Sequence, residues 1–134
     1  MNPFSIARLI FPSELMIEYE ESEEFKKDLK RLTKRFISLP DDLVTVKKAV
    51  IELRHILLIN NLGTFEIPGF SSNRGSFWKI KKFACKSLKG RGAKSGIRVI
   101  YYFRPTEKRV IFLEIYFKGD KENEDQERLK EFLA

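Results

Sequence analysis

The sequence predicts an α+β domain in which a helical hairpin packs on a four-stranded, mainly antiparallel sheet. Three observations predict it. Apolar residues recur at helical spacing over two consecutive stretches before residue 61, and they alternate or run unbroken over three stretches after residue 76. A chain of 134 residues, 43% hydrophobic and 34% charged, suits one core. A domain of this length buries about two thirds of the surface its unfolded chain exposes, so it folds without a metal or disulfide staple. Cys85 is the only cysteine, which leaves no intramolecular disulfide and no Cys-based zinc cluster.

The expectation is a single domain over residues 1–134, with residues 1–12 as an N-terminal extension, in a cytoplasmic setting. Ile6, Leu9, Ile10 and Phe11 form an apolar patch, but Arg8 interrupts it and Pro12 ends it before a signal-peptide core forms. No later apolar run approaches the length of a membrane span, so no membrane partner is expected.

Each element follows from local pattern. Leu15 to Tyr19 reads as a short strand, and Ser22 is placed to cap a helix whose first turn is acidic, as the helix dipole favours. From Glu23 to Ser38, Phe25, Leu29, Leu32 and Phe36 recur at steps of four, three and four among lysines and arginines, which predicts an amphipathic helix. Pro40 breaks it. Asp41 or Asp42 can cap the second helix, where Val46, Val50, Leu53 and Leu57 repeat the spacing up to Asn60 and Asn61. Residues 61–75 hold three glycines and Pro68 and read as a loop crossing a sheet edge. Phe77 to Phe83 alternates, with Trp78 and Ile80 on one face and Lys79, Lys81 and Phe83 on the other, while Ile97 to Phe103 alternates with one apolar face. Each of these strands thus has a wet, basic side. Val110 to Phe117 is apolar almost throughout, as a strand covered on both faces is. Glu122 to Leu133 reads as a short docking helix. A helical hairpin on one face leaves the sheet's other face for function.

Charge points to what that face meets. The chain carries a net +7, yet residues 74–109 alone hold 12 basic and 1 acidic side chains. Such a concentration is the electrostatic footprint of a surface that meets phosphates. Lys79 and Lys81 are two residues apart on one strand face, roughly 7 Å, a separation that brackets one phosphate. Arg98 begins the neighbouring strand, where its guanidinium can hold two phosphate oxygens at once. Lys82, Lys86, Lys89, Arg91 and Lys94 lie in or beside a flexible loop containing Gly90, Gly92 and Gly96, and this composition favours backbone-phosphate contact over base reading. Tyr102 and Phe83 are candidates for stacking on a base, against the commoner fate of strand aromatics in a core. His55 has no histidine partner and reads as a core-edge or surface residue, Trp78 as filling for the helix-sheet core, and Cys85 as structural. No phosphate cradle of the GxxxxGK[ST] or GxGxxG type is present, so no nucleotide cofactor is expected, nor any metal.

The element order, Phe25-Lys26-Lys27-Asp28-Leu29, Trp78-Lys79-Ile80-Lys81, Ser95-Gly96-Ile97-Arg98-Val99-Ile100-Tyr101, and Val110 to Lys118 running into a charged helix together resemble the RelE/ParE superfamily of toxins from toxin-antitoxin pairs. The resemblance implies the RelE-like fold and a cognate antitoxin that is acidic where it meets residues 74–104. RelE-type members cleave messenger RNA in the ribosomal A site, whereas ParE-type members inhibit DNA gyrase. The first of these implies messenger RNA and the ribosome as partners and a metal-independent endoribonuclease. By this resemblance Lys79, Lys81 and Arg98 match the basic residues that contact and activate the scissile phosphate. RelE has a further arginine after the last strand and a catalytic tyrosine in its C-terminal segment. Here that region offers Lys118 for the catalytic set and Lys121 for RNA contact, and no tyrosine follows Tyr116. Either Lys118 or an acid such as Asp120 or Glu122 replaces the missing groups, or the chain cleaves weakly, or it binds another target. The alternatives are a ParE-like gyrase inhibitor and a catalytically weak RNA-binding relative.

Overall fold

A computed structural model describes residues 16–70 and 72–134. The expected N-terminal extension, residues 1–12, and the expected strand start at Leu15 lie outside the described residues. In chain order the elements are β1 (Glu18–Glu21), α1 (Glu23–Thr33), α2 (Leu39–Val46, running on through a wide π-helical stretch, Lys47–Glu52, and a last turn, Leu53–His55), β2 (Thr64–Glu66), β3 (Ser76–Ile80), β4 (Ile97–Arg104), β5 (Arg109–Phe117) and α3 (Gln126–Leu133). The fold is α+β, as the sequence predicts, but the sheet has five strands in the order β1-β5-β4-β3-β2. Only β1 runs parallel to its neighbour, and the other pairings are antiparallel. The added strand is β2, which the glycine-rich composition of residues 61–75 disguises as a loop. Three residues are too few to show alternation, yet Thr64 pairs with Ile80 and Glu66 with Trp78 to make the sheet's edge.

Ser22 caps α1, its hydroxyl accepting from the Phe25 amide at 3.2 Å. Helix α1 ends at Thr33 and not at Ser38, and Phe36 returns to the core from the turn that follows. Pro40 occupies the first turn of α2, where a missing N–H costs no hydrogen bond, and Ser38 takes the cap position instead of Asp41 or Asp42. Asp42 is buried and accepts from the Ser38 hydroxyl (2.6 Å) and the Lys86 amide (3.1 Å). Helix α2 closes at His55, ahead of the expected Asn60 and Asn61, and the chain leaves it through left-handed backbone at Leu58 and Leu62.

Two cores sandwich the sheet. On one face Trp78, Ile80, Val99, Tyr101 and Phe112 pack against Phe25, Leu32, Leu43 and Ile51 of the helices, so Trp78 fills the helix-sheet core as predicted. On the other face Phe77, Ile100, Tyr102, Ile111 and Leu113 lie under Leu129 and Phe132 of α3 and beside Ile67 and Phe70. The second face, expected to be left open for function, is therefore covered over much of its length. Its polar part is the end that carries Lys79, Lys81 and Arg98.

Candidate nucleic-acid interface

Strand register brings the predicted residues together. Lys79 lies between Trp78 and Ile80, both in the helix-side core, so its side chain emerges on the opposite face. Ile80 pairs with Val99, which sets Lys81 beside Arg98, and Arg98 pairs with Tyr116 on β5. The Arg98 guanidinium donates to the Lys81 carbonyl at 3.0 Å. Lys118 follows β5, its amide donating to the Gly96 carbonyl at 2.8 Å, and this places it at the same end of the sheet. Lys81 and Lys118 are exposed and Arg98 is half-buried.

Lys79 is different. Its ammonium forms an ion pair with Glu124 at 2.6 Å, the two side chains only 14% and 9% exposed. Burial alone would lower the Lys79 pKa, but the hydrogen bond to Glu124 and the charges around it hold the ammonium above its ordinary range. Burial would likewise raise the Glu124 carboxyl, and Lys79, a backbone hydrogen bond and the field of Lys81 hold it below. The buried Tyr116 hydroxyl lies beside the Lys79 ammonium, within reach of it, and its own O–H has no acceptor. Burial pushes that phenol up against the opposing pull of Lys79, so it keeps its proton. Lys121 pairs with the buried Glu114 carboxylate, whose other oxygen accepts from the Asp125 amide at 2.9 Å, and the Lys121 ammonium lies 5.2 Å from the Tyr116 ring. The predicted cationic surface thus has an acidic inlay that its composition conceals.

The basic loop between β3 and β4 carries Lys82, Lys86, Lys89, Arg91 and Lys94, all exposed. It was expected to be a flexible span, but it is tied down at several points. Ser87 bonds Ser38, the Lys86 amide bonds Asp42, Ser95 bonds the Phe83 carbonyl, and Phe83 bridges Lys94. Cys85 is buried in this anchorage, 3.6 Å from the Ser38 hydroxyl, which fits a structural role.

Neither stacking candidate is free to meet a base. Phe83 is fully buried on the helix side and Tyr102 is covered by α3. The exposed aromatic of this face is Phe65, opposite Lys79 on β2, 39% exposed and 5.0 Å from the Lys81 ammonium. Asp120, offered as a replacement acid, points elsewhere and pairs with Arg35 at 2.6 Å, while Glu122 is exposed. Sequence reasoning missed Phe65, Glu114, Tyr116 and Glu124. Glu114 carried a signal, since it is the only acid inside an otherwise apolar strand. Glu124 carried none, because nothing local says that residues 118–125 fold back over the sheet.

Among the described residues no group of three or more His, Cys, Asp or Glu side chains could hold a metal ion, and no helix is long and apolar enough to cross a membrane. No family model and no curated protein matches the chain. Among solved structures it is similar to the archaeal RelE-RelB complex from Pyrococcus horikoshii OT3, with a TM-score of 0.49 and 12% identity, over 78% of this chain and 97% of that chain.

Proposed function

We propose that this chain is a RelE-like toxin of a toxin-antitoxin pair, a cytoplasmic, metal-independent endoribonuclease that cleaves messenger RNA on the ribosome. The observation that carries the reading is the meeting of Lys79, Lys81, Arg98 and Tyr116 on one sheet face, at the end bordered by Lys118 and the exposed lysines of the β3–β4 loop. The residue motifs of the family add to it. RNA cleavage by the adjacent 2′-hydroxyl forms a bond from O2′ to phosphorus, gives up the O2′ proton to solvent water and breaks the bond to O5′, which leaves a cyclic phosphate and a 5′-hydroxyl. The developing charge needs cations, and O5′ needs a proton. Lys81 and Arg98 are placed for the nonbridging oxygens, and Lys79 adds charge from beneath. Tyr116 has the unspent O–H that the leaving oxygen requires. Lys118 meets the flanking phosphate. Lys82, Lys86, Lys89, Arg91, Lys94 and Lys121 supply attraction to the rest of the polyanion, while Phe65 offers a stacking face.

The antitoxin is a partner of acidic and apolar character. Besides the basic face, an open groove of about 540 Å³ along α1 suits it, floored by Leu29, Pro40 and the 83% exposed Ile37 and rimmed by Lys26, Lys30 and Lys34.

A translating extract tests the function. Message ends mapped by primer extension should show codon-phased cuts that vanish in Arg98→Ala. Intact messages together with blocked supercoiling in a parallel gyrase assay would replace this reading by the ParE-like one. Silence in both would leave an RNA-binding relative.

A further inference from the structure

We propose that the Glu124 carboxylate occupies the seat of an RNA phosphate, so that the segment from Lys118 to Asp125 is a latch that the polyanion must displace to reach Lys79 and Tyr116. The inference rests on the RNA reading above and adds a regulated entry to that site. Two observations carry it. The Lys79 ammonium is held by Glu124 at 2.6 Å with both side chains nearly covered. The buried Tyr116 hydroxyl beside it has no acceptor for its O–H, so a donor and a cation converge on a position now filled by an anion from the same chain. A phosphate has more acceptor oxygens than a carboxylate and can take both.

The latch is fastened at both ends. On the Lys118 side the turn carries Asp120 on Arg35, an exposed pair of little strength, and Lys121 on the buried Glu114, the pair that opening must give up. On the Asp125 side Glu114 holds the Asp125 amide, and Arg128 binds Asp28 (2.7 Å) and the Leu113 carbonyl (2.9 Å). Opening therefore pivots about Asp125 and leaves α3 on its core. Lys121, once drawn off Glu114, joins the exposed cations, which makes the open form the more basic one.

The test measures binding without cleavage. A single-stranded RNA of about twelve nucleotides, 2′-O-methylated throughout so that no attacking hydroxyl remains, is titrated into the full chain by fluorescence anisotropy. Glu124→Gln, which keeps the shape and removes the competing charge, should bind about tenfold tighter, the worth of one charge-assisted contact. Lys79→Met should abolish that gain in the double variant. Equal affinity of wild type and Glu124→Gln, or weaker binding by the variant at unchanged melting temperature, would overturn the latch while the RNA reading stands. If neither protein binds RNA, the RNA reading falls, and inorganic phosphate decides the seat. A shift of the Lys79 side-chain resonance in Glu124→Gln and not in wild type would uphold an anion seat, and no shift in either would remove it. Glu124→Asp, with a shorter reach, should give an intermediate gain and guards against a folding defect in the Gln variant.

Discussion

His55 lies 2.7 Å from the Tyr101 hydroxyl, which also meets Thr64 at 2.9 Å, and its ring stacks on Phe103 and meets Trp78 edge-on. Burial, helped by the neighbouring Arg54 charge, lowers its pKa from 6.5 to about 4. The unfolded chain takes up the imidazole proton near 6.5 and the folded one does not, so the unfolded state binds more protons between those values. Stability from this residue is full above pH 6.5 and drains away as the pH falls towards 4, by about 3 kcal/mol. Urea unfolding across that window should show the loss in wild type and a flatter profile in His55→Gln. Phe65 gives a second prediction at this scale. Phe65→Ala should weaken RNA binding about tenfold, within the usual worth of a base stacked on an aromatic, with the melting temperature little changed because the ring is exposed. Sequence alone limits His55 to a core-edge or surface place, since its neighbours are apolar at helical spacing, and its contacts with Tyr101, Trp78 and Phe103 decide for the core edge. It misplaces Phe65, because an aromatic in a glycine-rich stretch has no visible strand partner.

At the scale of elements, β1 pairs with β5 only as far as Phe112. The next residue, Leu113, is the extra residue of a bulge, since Ile100 pairs with Glu114 and Tyr101 with Phe112. Its carbonyl has no strand neighbour on that side, and Arg128 of α3 supplies the donor while also neutralising the buried Asp28 of α1. One side chain thus ties helices from the two faces of the sheet. Arg128→Met leaves Asp28 with only the long, exposed contact to Arg31 and the carbonyl without a donor, and should cost about 2 kcal/mol, the value for a buried pair discounted for partial exposure. Amide exchange in α3 should quicken more than in β4. Gly75 sets a comparable limit before β3, because a Cβ there would fall 2.5 Å from the Phe103 carbonyl oxygen and 2.6 Å from Tyr102. Gly75→Ala should lower stability by about 2 kcal/mol in urea, the strain of forcing atoms into a packed site. The helices, β3, β4 and β5 were legible because each spans enough residues to display its period. The edge strand β2 was too short, and the covering of the second face by α3 is a tertiary event that no local pattern encodes.

Across the whole molecule, charge is the property that was most legible and most incomplete. The count over residues 74–109 locates the basic end of the sheet, but the acids that enter it, Glu114 and Glu124, come from the chain's acidic last segment and arrive only through folding. The pairs they form subtract Lys79 and Lys121 from the cations free to meet a polyanion, which leaves Lys81, Arg98, Lys118 and the five exposed loop cations. If about four of these neutralise phosphates of a single strand, the slope of log affinity against log salt is about −2.8, and affinity falls roughly fiftyfold between 0.05 and 0.2 M salt. Replacing Lys86, Lys89 and Lys94 together with alanine should flatten that slope by up to about 2, yet leave the rate of cleavage from the bound complex unchanged. These lysines sit on the β3–β4 loop, which the Lys86 amide ties to Asp42 of α2, and not on the strands that carry Lys79 and Tyr116, so they add attraction without touching the reacting phosphate. Arg98→Ala should lower both the slope and the bound-state rate, because its guanidinium stands in the row between Lys81 and Tyr116 where charge develops. Single-turnover kinetics at two salt concentrations separate the two effects. A loop variant that slows cleavage of fully bound RNA would mean that the reacting phosphate sits on the β3–β4 loop and not on the strands.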